Sequence, residues 1–79
     1  MTQIEKLVER LRRARGEADY ADLQRLLQHH GWTRERQAGS HVTYKKAGQE
    51  PISFPLLSGR WVKSSYRRLV LRRLGFEAD

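Results

Sequence analysis

"RQAGSHVTYKK", residues 36–46, decides how this chain folds. From His41 onward polar and apolar side chains alternate, with Val42 and Tyr44 set against His41, Thr43 and Lys45. A period of two is that of a β-strand, and β-branched and aromatic residues suit its pleated surface. Gly39-Ser40 stands directly before the strand, and glycine reaches the positive φ that a tight turn requires. "TRERQ" (33–37) then reads as an antiparallel first strand, and "ISFP" (52–55), reached through the turn residues "AGQEP" (47–51), as a third. Val42, Tyr44, Ile52 and Phe54 share the face that must be covered. His41, Thr43, Lys45 and Ser53 fall on the opposite, open face. A slip of one residue would bury Lys45 and expose Val42, so the pattern fixes the register.

Helices on either side supply the cover. Thr2 and Glu5 have the spacing of a capping box, and Ile4, Leu7, Val8 and Leu11 recur on one helical face. Arg10, Arg12, Arg13 and Arg15 crowd the end where the helix dipole favours cations, and Gly16 stops the helix. A second helix is capped by Asp19, buries Tyr20, Leu23, Leu26, Leu27 and His30, and closes at Gly31 before a core Trp32. "LLSGRWVK" (56–63) reads as a loop. Ser64 or Ser65 caps a last helix with a stripe of Tyr66, Leu69, Val70, Arg73 and Leu74, closed by Gly75. The expected architecture is α+β, in the order α-α-β-β-β-α, with helices on one face of a three-stranded antiparallel sheet. Residues 1–16 form an extra helix, and 17–79 a single compact domain.

A chain of 79 residues makes one domain with a thin core. It has no cysteine, hence no disulfide and no thiolate metal site. His29 and His30 are adjacent on a helix and point about 100° apart, which makes them a poor metal pair. Neither a metal nor another cofactor is expected. No apolar run approaches the ~18 residues of a membrane span, and the amino terminus lacks a signal-like apolar region, so the expectation is a soluble cytoplasmic protein.

Charge is distributed unevenly. Residues 1–35 carry seven Lys/Arg against six Asp/Glu, whereas residues 36–76 carry nine against Glu50 alone. A segment this basic has the footprint of a polyphosphate partner. On it, His41 is the one histidine, the residue type most often used for general acid–base chemistry. Lys45, Lys63, Arg36 and Arg60 are candidate cations for a phosphate, and Arg67, Arg68, Arg72 and Arg73 could grip a nucleic-acid backbone from the last helix. Trp61 either stacks on a base or plugs the edge of the core. Judged on residue types alone, His41 is a surface histidine on a binding face.

"LLQHHGWTRERQAGSHVTYKK", an apolar strand and "VKSSYRRLVLRRLG" together resemble the HicA (YcfA-like) toxins of bacterial type II toxin–antitoxin modules. The resemblance rests on the helix ending in Gly31-Trp32, the Arg36-Gln37 pair, Gly39-Ser40-His41, and the final helix entered through Val62-Lys63 with Tyr66. It implies a double-stranded-RNA-binding-domain-like fold, endonucleolytic cleavage of mRNA and inhibition by a HicB-type antitoxin protein. It also implies His41 as the catalytic residue; the residues expected to bind RNA are Arg36, Gln37, Gly39, Ser40, Lys45, Arg60, Lys63, Arg67 and Arg68. Many members carry a second histidine just after the third strand. Here that segment is "FPLLSGR", and a second acid–base role would fall to Lys63, Arg60 or Lys45. The alternatives are a non-catalytic RNA-binding domain of the same fold and a module that docks an acidic protein.

Overall fold

Thr2 and Glu5 do form the capping box: each backbone N–H donates to the other's side chain at 3.1 Å. In the computed structural model, which describes residues 2–77, this box opens helix α1, Gln3–Arg13. The helix ends before the expected Gly16, because Ala14 turns extended at φ −62° and ψ 141°. Leu7, Val8 and Leu11 are buried and Ile4 is half-buried, so the apolar stripe lies against the rest of the chain.

Strand β1 (Ala18–Asp19) leads directly into α2 (Tyr20–His29). Asp19 is the N-cap and accepts the Ala21 N–H at 3.1 Å. Past the other end, Gly31 sits at φ +87°, a conformation that a Cβ disfavours. It lets the Trp32 N–H return to the Leu27 carbonyl at 3.0 Å, and Trp32 turns into the core.

Strands β2 (Thr33–Ala38), β3 (His41–Lys45) and β4 (Ile52–Pro55) form an antiparallel sheet in that order. Val42 stands opposite Phe54 and Tyr44 opposite Ile52, and all are buried with Leu23, Leu26 and Leu27 of α2. The Tyr44 and Tyr20 hydroxyls meet at 2.8 Å inside this layer. On the sheet's second face His41, Lys45 and Ser53 are exposed and Thr43 half-buried, as the alternation requires.

Three features depart from the sequence reading. The stretch read as a loop contains β5 (Trp61–Val62), which pairs with β1 as a second, two-stranded sheet: Ala18 faces Val62 and Asp19 faces Trp61. Two-residue strands are too short to show any period. Helix α3 (Ser64–Arg73) has Lys63 as its N-cap, with no side-chain capping bond from either serine. Its buried face is Arg67, Val70 and Leu71, with Tyr66, Leu69, Arg73 and Leu74 only half-buried. A charged residue on the inner face masks the helical period. Of the expected domain 17–79, residues 78 and 79 lie outside the described residues.

Candidate nucleic-acid interface

The turn between β2 and β3 is two residues long, Gly39 and Ser40, flanked by the facing pair Ala38 and His41. Gly39 lies at φ +61° and Ser40 at negative φ, the sign pattern of the type II′ hairpin turn that matches strand twist. The Gln37 amide donates to the Gly39 carbonyl at 3.3 Å, and the Leu56 N–H donates to the Ser40 carbonyl at 2.7 Å. The turn is therefore anchored from both sides. His41 follows it as the first residue of β3, between Ala38 on one neighbouring strand and Pro55 on the other, and its side chain is exposed.

Successive rows continue down the same face. Thr43 stands between Arg36 and Ser53, and its hydroxyl meets that of Ser53 at 2.9 Å. Lys45 comes next. Side chains two apart on a strand rise about 6.5–7 Å per step, so His41, Thr43 and Lys45 form a ladder along β3. Arg36 is the diagonal neighbour of His41 and points to the same side.

Glu35 breaks the regularity. The register shifts between Arg34 and Arg36, so Glu35 is the extra residue of a β-bulge, and its Oε1 lies 3.0 Å from Lys45 Nζ. Lys45 is thus paired with an acid on the open face. Nothing in the spacing revealed this, although an acid between Arg34 and Arg36 in so basic a strand was its trace.

The remaining expected residues lie on other elements. Arg60 precedes β5: its Nε and Nη2 reach Asp19 Oδ2 at 3.2 and 3.1 Å, and its guanidinium lies 4.5 Å from the Trp61 ring centroid. Lys63, the N-cap of α3, and Arg68, midway along it, are exposed. Arg67 is not on the surface at all. It is 4% exposed and donates to the Leu11 carbonyl at 2.7 Å and the Gly16 carbonyl at 3.4 Å, so its charge serves the end of α1. Of the expected residues, Arg36, His41 and Lys45 share the sheet's open face beside the Gly39-Ser40 turn, Gln37 stands opposite Val42 on the other face, and Arg60, Lys63 and Arg68 belong to the segment and helix that follow the sheet.

No group of His, Asp or Glu suited to hold a metal occurs among the described residues, and none of their helices is long and apolar enough to cross a membrane. A family model described as "HicA toxin of bacterial toxin-antitoxin" matches residues 20–76. The chain belongs to the HicA toxin family. Comparison with curated proteins and with solved structures returned no match. The HicA match begins at the first residue of α2 and ends just past α3, so it takes in the whole sheet, the turn and His41, and leaves α1 outside. Membership makes this a toxin of a toxin–antitoxin module.

Proposed function

We propose that this toxin is an endoribonuclease that cleaves mRNA by metal-independent acid–base catalysis at His41. The observation that carries the proposal is the exposed imidazole at the head of β3, presented by an anchored turn on an uncovered basic face within the family match. The chemistry requires a base to take the proton of a ribose 2′-OH. The resulting oxygen attacks the adjacent phosphorus, and the 5′-oxygen leaves with a proton from an acid. His41 serves as the base or the acid, and Arg36, its diagonal neighbour, supplies charge for the phosphorane. Lys45, Lys63 and Arg68 hold the backbone on either side, Arg60 adds a further contact to the RNA, and Gln37, Gly39 and Ser40 shape the turn. The 2′-OH as nucleophile restricts the substrate to RNA.

The residues of this activity lie within 17–79, with α1 packed into the same core, and a HicB-type antitoxin covers the same basic face in the cytoplasm. A second reading, an RNA-binding domain without catalysis, is favoured by one feature: the segment after β4 has no histidine, and its Arg60 is already engaged by Asp19. One experiment separates them. Wild type should cut a long mRNA in EDTA while His41→Ala binds the RNA and leaves it whole; binding by both with cutting by neither would establish the second reading.

A further inference from the structure

Arg60 is held more firmly than a surface arginine needs to be. Nε and Nη2 converge on one oxygen of Asp19, and the Trp61 ring lies beneath the guanidinium. The Arg60 carbonyl accepts the Tyr20 N–H at 2.8 Å, which fixes its backbone to the start of α2. Asp19 is equally fixed, since its other oxygen caps Ala21 and its backbone faces Trp61 across β1 and β5. Despite these contacts the Arg60 side chain remains 64% exposed. The Trp61 ring lies on one side of the guanidinium and Asp19 holds its Nε–Nη2 edge, so the open part is the side away from the indole.

That arrangement selects a ligand. A guanidinium whose charge is balanced by a carboxylate at 3.1 Å attracts a phosphate less than a free cation does. A rigid, delocalised plane backed by an indole is suited to a flat π-surface, and exposed RNA bases stack on arginine planes as they do on aromatic rings. The site is also tied to His41. Pro55 faces His41, the next residue Leu56 bonds the Ser40 carbonyl, and Leu57 bridges to Trp61.

We propose that Arg60, stacked on Trp61 and held by Asp19, is a platform on which an unstacked RNA base lies while the neighbouring backbone passes His41. This rests on the RNA-binding reading above and deepens it by assigning a nucleobase, rather than a phosphate, to Arg60.

The test compares Arg60→Lys with its parent, both in the His41→Ala background so that the RNA stays whole. Two short single-stranded RNAs are used, one normal and one with abasic riboses. Lysine keeps the charge and loses the plane. Arg60→Lys should weaken binding of the normal strand about tenfold, with an unchanged salt dependence, and leave the abasic strand unaffected. Equal binding of the normal strand by both proteins overturns the platform, as does an equal loss on both strands, which would mark Arg60 as a structural pin or a plain charge. If the parent binds neither strand at low salt, the RNA-binding reading falls and takes the platform with it. Should circular dichroism show Arg60→Lys unfolded, adenosine, which has no phosphate, is titrated into the wild type by NMR. The Arg60 Nε–H resonance should shift, and its staying fixed at saturating adenosine overturns the proposal.

Discussion

Arg67 Nη1 donates to the Leu11 carbonyl at 2.7 Å, so a buried residue of α3 terminates α1. The last carbonyls of a helix have no partner within it, and the dipole there favours a cation. Arg67 meets both needs, and adds a bond to Gly16. Arg67→Met keeps the stem and removes the donors, leaving a buried carbonyl unpaired. It should cost about 1–3 kcal/mol, at roughly 4–8 °C of melting temperature per kcal/mol. Deleting residues 1–15 removes more, because burial of Leu7, Val8 and Leu11 contributes about 1.5–3 kcal/mol each. Against a total of about 5–15 kcal/mol the truncated chain should be largely unfolded by circular dichroism. A truncated chain melting with the wild type would show that α1 is an appendage.

The Glu35–Lys45 pair, with both side chains substantially exposed, makes a prediction about RNA binding. An exposed pair adds little to stability, so Glu35→Gln should leave the melting temperature within about 1 kcal/mol of the wild type. It should free Lys45 for a phosphate, tightening RNA binding and steepening the log–log salt slope by about 0.7 for a single strand. Lys45→Ala should then reverse the gain, and should matter less when Glu35 is present. An unchanged slope in Glu35→Gln would place Lys45 off the path of the RNA.

Why the sequence disclosed some of this and not the rest follows from the size of each signal. The register of β3 against β4 was legible because Val42, Tyr44, Ile52 and Phe54 all have to be covered, and each votes for the same alternation. The caps of α1 and α2 were legible because capping is local chemistry between residues three or fewer apart. Pairing of β1 with β5 was not, since Ala18 and Val62 are far apart in sequence and the strands are two residues long. The inward face of α3 was hidden by Arg67, whose polarity argues for solvent until the carbonyls of Leu11 and Gly16 are seen beside it. The open face bearing His41 was legible, but its counter-charge was not: a bulge at Glu35 depends on the partner strand.

Tyr44 gives the fold an alkaline limit. Burial, and then the hydrogen bond to Tyr20, push its phenol well above the usual value of 10.0. A raised folded pKa means that the contribution is complete below the unfolded value and declines as pH rises past it, because only the unfolded chain then ionises. Above about pH 10 stability should therefore fall by up to about 1.4 kcal/mol per pH unit from this group. Tyr44→Phe, which costs about 1 kcal/mol at neutral pH through the lost hydrogen bond, should show a shallower alkaline decline. Thermal melts from pH 8 to pH 11 check this; parallel curves for the two proteins would assign the decline to other groups.

Gly39 offers the sharpest separation of stability from activity. An added Cβ would meet nothing within 4 Å, so the cost of Gly39→Ala comes from backbone conformation alone, at φ +61°. Forcing an L side chain to that positive φ costs about 1–2 kcal/mol, and the first position of a type II′ turn takes glycine. The loss is local: the core behind Val42 and Phe54 is untouched, while the turn that sets the direction of His41 is strained. Gly39→Ala should thus lower the melting temperature modestly and lower RNA cleavage by more than ~10-fold, a misplacement effect of the kind that orientation-dependent catalysis shows. If Gly39→Ala cut RNA at the wild-type rate while melting lower, the turn would be structural and the position of His41 insensitive to it.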